Sequence, residues 1–174
     1  MSFIIAQVLG LIATGTSMAC YQLKNEKHIL IGQFLTNLLM SANFALLGGV
    51  SAAWVCMVAA VATVMMFVAN KKAGEQKVRV KKVLIVIFFA IFIVGSVITY
   101  QSWPDIIVCI CALLFTLSIA QEKSGKIRSI MFFNASLWII YDVVLGAWTS
   151  IILHGMTLAS IIVGKARLDR KREG

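Results

Sequence analysis

The stretch NKKAGEQKVRVKKVLIVIFFAIFIVGSVITY, residues 70–100, carries six of the chain's 16 Lys and Arg residues, followed by a run without charge. The run at residues 83–100 suits a membrane-spanning helix, because about 20 residues cross the hydrocarbon core. Over the whole chain 60% of residues are hydrophobic and 13% are charged, with a mean hydropathy of +0.93. Soluble domains are about a quarter charged, so the composition predicts an all-α membrane protein.

Six further runs of comparable length accompany this segment, and together they predict seven spans in one membrane domain, residues 1–174. We expect the spans at residues 3–23, 29–48, 52–69, 83–100, 105–121, 129–146 and 149–164, followed by a basic tail at 165–174. The first run has the position of a signal peptide, but no basic residue precedes it. We therefore expect it to remain as a span.

Basic residues alternate along these spans. Lys and Arg number two in the first loop, six in the third, three in the fifth and five in the tail, which accounts for all 16. Because basic loops face the cytoplasm, the pattern predicts an outside N-terminus and a cytoplasmic C-terminus. The net charge of +9 is thus interpreted as an orientation signal near anionic lipid. It does not form the basic and aromatic face of a nucleic-acid-binding protein.

Two groups of three spans, residues 3–69 and 105–164, share one order of helix, basic loop, helix, tight turn and helix. Sliding the first group along by 97 residues places Asn37 on Asn134, near the middle of the second span of each group. The span at 83–100 belongs to neither group. The sequence therefore predicts seven transmembrane helices as two parallel three-helix bundles joined by a linker helix (3+1+3), with a solute site between the repeats.

Short motifs are distributed over nearly the whole chain. They are QVLG at 7–10, YQLKN at 21–25, NLL at 37–39, LLGG at 46–49, LWIIYDVVLG at 137–146 and RLDRK at 167–171. These motifs resemble the YgjV family of small bacterial inner-membrane proteins, within the PQ-loop superfamily that includes the SWEET and PnuC transporters. The resemblance implies the 3+1+3 fold, a bacterial inner membrane and a sugar- or vitamin-like solute. The chain lacks the hinge prolines of SWEET-like proteins, although Gln22 and Gln121 are similar in position to the glutamine of their Pro-Gln pair.

Polar and aromatic side chains share one face of the second span and one face of the sixth, since their spacing follows the helical repeat. Such side chains either bond neighbouring helices together or line a cavity for a neutral or zwitterionic solute. The symmetry pairing of Asn37 with Asn134 favours the cavity. The candidate solute-binding residues are Asn37, Asn134, Gln33, Ser41, Trp138 and Tyr141.

Asp142 and His154 flank the tight turn between the sixth and seventh spans, at matching depths. Ionisable residues within spans are costly and are commonly functional. A carboxylate beside a histidine can hold a proton or a cationic group, so the two are candidates for proton or cation coupling. The alternatives are a carboxylate that reaches the headgroups and a histidine that donates to a backbone carbonyl.

Enzymatic, metal and cofactor sites are not expected. The four cysteines lie inside apolar runs, and the sequence offers neither a Ser/His/Asp set nor a phosphate-binding glycine loop. The resulting hypothesis is a facilitator whose partners are the lipid bilayer and a small-molecule solute, without nucleic acid. The alternative is a non-transporting accessory subunit or lipid-interacting scaffold.

Overall fold

The computed structural model describes residues 2–46, 50–100, 103–145 and 148–169, and every regular element within them is helical. The α-helices are α1 Ser2–Tyr21, α2 Glu26–Leu46, α3 Val50–Asn70, α4 Gly74–Ile98, α5 Pro104–Ile119, α6 Ser124–Leu145 and α7 Trp148–Gly164, and a π-helical segment, Lys165–Asp169, extends α7. The prediction of an all-α protein with seven helices is confirmed over this part of the chain.

Four of these helices are long and apolar enough to cross a membrane. They contain the stretches Ile4–Tyr21, Ala53–Asn70, Gly74–Ile98 and Ile151–Leu168, which belong to α1, α3, α4 and the extended α7. Helix α5 is apolar but has only 16 residues. Helices α2 and α6 are 21 and 22 residues long, and they carry most of the predicted solute-binding residues.

Helix α4 begins at Gly74, nine residues before the predicted span, so much of the loop predicted at residues 70–82 is helical. Gly74 has a φ of +56°, a left-handed conformation that glycine adopts without strain, and it follows the turn after α3. Lys77 and Lys81 then lie one turn apart, and the Nζ atom of each is within about 3 Å of Glu122 Oε1 (3.0 and 3.1 Å). These ion pairs anchor the added helical turns.

The helices pack largely in chain order. Helix α2 lies between α1 and α3, and α6 lies between α5 and α7. Helix α3 contacts α5, α1 contacts α7, and α2 touches α6, while α4 packs along α3 and α5. The six helices other than α4 thus form a ring, with α4 beside the α3–α5 contact.

The hydrophobic core lies toward one end of the bundle. That end, here called the basic end, contains the α1–α2, α3–α4 and α5–α6 connections and the segment Lys165–Asp169. The Lys and Arg residues of the described ranges lie there or in the helical turns next to them, and the opposite end is called the far end. Core side chains near the basic end include Tyr21, Ile29, Leu30, Met66, Leu84, Phe88, Ile119, Ile127 and Ile161. The helices are therefore most closely packed at the basic end and in the middle.

Candidate functional site

An aromatic cluster joins α6 to α7 near the far end. The ring centroids of Trp138 and His154 are 5.5 Å apart with an interplanar angle of 18°, so the two rings stack. Tyr141 meets Trp138 edge-on, with centroids 5.5 Å apart at 89°. The three side chains are half-buried. The structure thus brings two of the predicted solute-binding residues together with the predicted coupling histidine.

Asp142 follows Tyr141 on α6, but its side chain lies outside the part of the chain whose side chains the structure describes. Its coupling with His154 therefore stays a prediction. Among the described residues, no group of three His, Cys, Asp or Glu side chains is arranged to hold a metal ion.

Asn37 and Thr36 lie on the side of α2 that packs against other helices. Asn37 is half-buried and donates from Nδ2 to the Gln33 carbonyl of its own helix, at 2.8 Å. The Thr36 hydroxyl is buried and has no hydrogen-bond partner among the described residues. On the opposite side of the helix, Leu35 and Leu38 are exposed. Thr36 was missed by the sequence interpretation, which did not include it in the stripe of polar residues.

Gln33 and Ser41 lie on the same helix and bond to α1 and α3. Gln33 is buried, and its Nε2 donates to Tyr21 Oη at 2.7 Å and to Cys20 Sγ at 3.3 Å. The Ser41 hydroxyl donates to the Ala53 carbonyl at 2.9 Å. Both side chains thus connect helices α1–α3 with one another, as polar residues between membrane helices commonly do.

Asn134 is buried on α6 and donates from Nδ2 to the Cys111 carbonyl of α5, at 2.6 Å. The amide therefore connects α6 with α5. Asn37 bonds within its own helix instead, so no hydrogen bond joins the two asparagines that the repeat pairs. The orientation of Asn134 depends on a tertiary contact with α5. The sequence pattern does not indicate this contact.

The family model Imp-YgjV, described as bacterial inner membrane protein, matches residues 4–172. The chain belongs to the YgjV family. No curated protein and no solved structure matches the chain. Family membership, together with the apolar helices, makes it a multi-pass protein of the bacterial inner membrane.

Arg128 of this YgjV-family protein is the largest of the fully buried side chains, with 0% exposure. Its Nε donates to the Tyr21 carbonyl at 2.8 Å, and its Nη2 donates to the Leu23 carbonyl. The last carbonyls of a helix have no partner within it, and a cation is favoured there by the helix dipole. Arg128 therefore bonds the end of α1 to the start of α6.

A second set of bonds joins the same end of α1 to α7. Gln22 Nε2 donates to the Ser160 carbonyl at 2.7 Å and to Ser160 Oγ at 2.9 Å, and Ser160 Oγ lies 2.7 Å from the Met18 carbonyl. One turn further, a Cβ on Gly164 would lie 2.5 Å from the Tyr21 carbonyl oxygen, so only glycine permits this approach. In the sequence, this contact between α7 and α1 is indicated by the small residues at 160 and 164, whose spacing is typical of close helix contacts.

Glu122 connects α4 with the α5–α6 connection. Hydrogen bonds from Lys77 and Lys81 hold the pKa of the Glu122 carboxyl below its ordinary value of 4.5. Lys81 is buried apart from about a tenth of its side chain, whereas half of Glu122 remains exposed. Two of the six basic residues predicted as an orientation signal thus also fix the position of α4.

A groove lies between α3 and α4. Its lining includes Trp54, Val58, Phe92 and Gly95. None of the predicted solute-binding residues contributes to it, and its lining comes from the two helices next to each other on one side of the ring. Trp54 therefore provides a comparison for Trp138 in the experiments below.

Proposed function

We propose that this YgjV-family protein is a facilitator for a neutral or zwitterionic small solute, with a site between the units α1–α3 and α5–α7. In this proposal all seven helices cross the membrane in the SWEET/PnuC-like 3+1+3 arrangement, with α4 as the linker. The N-terminus and the far end are outside, and the basic end is cytoplasmic. The proposal assigns no enzymatic activity and no cofactor.

The contacts between helices support two related units. Exchanging the units converts the α1–α7 contact into the α5–α3 contact, and both are present. The α2–α6 contact is unchanged by the exchange. A repeat about an axis along the membrane normal produces this pattern, and such carriers bind solute at the interface between the units.

The observation that carries the proposal is a change in burial along the inward faces of the helices. On α2, Gln33 is 4% exposed and Ser41 is 5% exposed, whereas Asn37, midway between them, is half-buried. On α6, Asn134 is 3% exposed, whereas Trp138 is half-buried, and His154 on α7 is half-buried as well. We infer from these differences a recess between the units at the level of Asn37, Trp138 and His154, and the proposal extends it to the far end.

The side chains around this recess determine which solute it suits. Trp138 and His154 offer a flat stacked surface, and Asn37 offers an amide. A solute with a ring and several hydroxyl or amide groups, such as a sugar or a vitamin, fits these side chains.

Thermal stabilisation by ligand tests the proposal. Purified protein in nanodiscs is screened against sugars, nucleosides, amino acids and vitamins, and each hit is tested for uptake into proteoliposomes. Trp138→Leu should remove the stabilisation and the uptake. The matched variant Trp54→Leu should retain both, because Trp54 lies in the α3–α4 groove. Equal responses of the two variants would exclude a site at Trp138.

The second candidate function is a non-transporting accessory subunit or scaffold. It is favoured by the bonds of Gln33, Ser41 and Asn134, whose polar groups connect helices within one unit. In that case we expect no ligand stabilisation and no uptake for any solute class in the screen, although the protein remains folded.

A further inference from the structure

At the basic end, the two contacts between the three-helix units differ in their polar bonds. At the α1–α7 contact, Gln22 and Ser160 bond to each other across the units. Gln121 corresponds to Gln22 by a shift of 99 residues, and Thr63 corresponds to Ser160 by a shift of 97. Gln121 instead donates to Leu117 and Thr63 donates to Ala59, each within its own helix, at 2.9 and 2.8 Å. Of the two contacts, only the α1–α7 contact is therefore held by hydrogen bonds of these side chains.

Arg128 adds to this difference. It belongs to α6, and its guanidinium bonds to the carbonyls of Tyr21 and Leu23 at the end of α1. Buried bonds to a charged donor are stronger than neutral ones, since little water competes for them. We name the set Gln22, Arg128, Ser160 and Gly164 the α1 latch.

The position of the α1 latch permits it to open. Residues Leu23, Lys24 and Asn25, which follow α1 directly, are exposed. Water can therefore reach Arg128 as soon as the end of α1 moves away. Water molecules then solvate the guanidinium charge in place of the Tyr21 and Leu23 carbonyls. Opening of the α1 latch therefore does not leave the guanidinium unsolvated in a water-free core, which would be prohibitively costly.

We propose that the α1 latch is the gate at the basic end and that it is closed in this structure. Movement of the end of α1 away from α6 and α7 opens a path to the basic side. The gate rests on the proposed function for its role in transport, but its opening can be measured without any solute.

A single cysteine at Ile161 reports the opening. Ile161 is fully buried and lies on α7 between Ser160 and Gly164. The variant Ile161→Cys is prepared with the four native cysteines replaced by serine, in nanodiscs that leave both faces accessible. A charged thiol reagent should modify it slowly while the α1 latch is closed.

Replacement of Arg128 by methionine should speed this modification by about tenfold to a hundredfold, the effect of losing hydrogen bonds to a charged group. The matched control is Lys126→Met, which removes an exposed positive charge from the same helix and should leave the rate unchanged. An Arg128→Met variant that melts cooperatively and reacts as slowly as the control would overturn the gate.

If Arg128→Met does not fold, two milder changes carry the test. Gln22→Ala removes the bonds to Ser160, and its control is Gln121→Ala, whose bond lies within α5. Gly164→Ala places a Cβ against the Tyr21 carbonyl and pushes α7 from α1. Both should speed modification at residue 161, and rates equal to that of Gln121→Ala would overturn the gate.

A second reporter separates failure of the gate from failure of the proposed function. Asn37→Cys lies beside the recess at the far end. In a carrier that alternates access, opening the α1 latch should slow modification at residue 37 while it speeds modification at residue 161. Faster modification at residue 161 with no change at 37 supports the gate and contradicts an alternating carrier.

Discussion

Replacing Gly32 by alanine tests the close packing of α2 against α1. A Cβ on Gly32 would overlap Cys20 Cβ, and it would lie 3.4 Å from Cys20 Sγ and 3.5 Å from Cys20 Cα. A change of side-chain rotamer cannot relieve the overlap, since Cβ and Cα are fixed by the backbone. The two helices must move apart instead.

The magnitude follows from two opposing effects. Overpacking of this kind costs about 1–3 kcal/mol, whereas alanine is favoured over glycine in a helix by about 1 kcal/mol. Gly15→Ala is the matched control on α1, because its Cβ would meet no atom within 4 Å. The propensity term cancels between the two variants, so their free energies of unfolding should differ by about 1–3 kcal/mol.

Thermal unfolding in detergent measures this difference, and about 2–4 °C in Tm corresponds to each kcal/mol for a chain of this size. In the double variant Gly32→Ala with Cys20→Gly, the overlapping Cys20 Cβ is absent. The double variant should be less destabilised than the sum of its single variants. A Gly32→Ala variant as stable as Gly15→Ala would refute the close packing of α1 on α2.

Three further predictions concern the basic end, the α5–α6 contact and the orientation. Because folding lowers the pKa of Glu122, its ion pairs stabilise the fold above the ordinary pKa and lose this effect as the pH falls through the folded pKa. Glu122→Gln should therefore lower the Tm at neutral pH, and its Tm should approach that of wild type as the pH falls below the folded pKa. Asn134→Leu should destabilise by about 0.5–1.5 kcal/mol, because the hydrogen bond between α6 and the Cys111 carbonyl of α5 is lost, whereas Asn37→Leu should cost less in thermal unfolding. A cysteine at Gly74 should resist an impermeant reagent in intact cells and react in inverted vesicles, and labelling in intact cells would reverse the proposed orientation.

The seven helices were predictable from the sequence because apolar runs of sufficient length alternate with basic segments, and tertiary structure is not needed for either signal. The start of α4 was not predictable in the same way. Residues 74–82 carry mainly charged and polar side chains, which in sequence resemble a solvated loop. Their helical turns are anchored by the ion pairs of Lys77 and Lys81 with Glu122, a residue 41 positions beyond Lys81.

The candidate site was predictable in composition and less so in its contacts. The helical repeat correctly grouped Trp138 with Tyr141, but it gave no indication that His154 stacks on Trp138, since the stack depends on how α6 crosses α7. Arg128 was counted only as an orientation signal. Its burial depends on the unpaired carbonyls at the end of α1, more than 100 residues earlier in the chain.

Modification of single cysteines along α2 in intact cells tests the central claim most directly, that a recess enters the bundle from outside. The variants are Asn37→Cys, Gln33→Cys one turn deeper, and Leu38→Cys on the opposite, exposed side of the helix. We predict that an impermeant charged thiol reagent modifies Asn37→Cys and leaves Gln33→Cys and Leu38→Cys unmodified, because only residue 37 borders water. An Asn37→Cys variant as unreactive as Gln33→Cys, or one that reacts only in inverted vesicles, would contradict the recess and its proposed orientation.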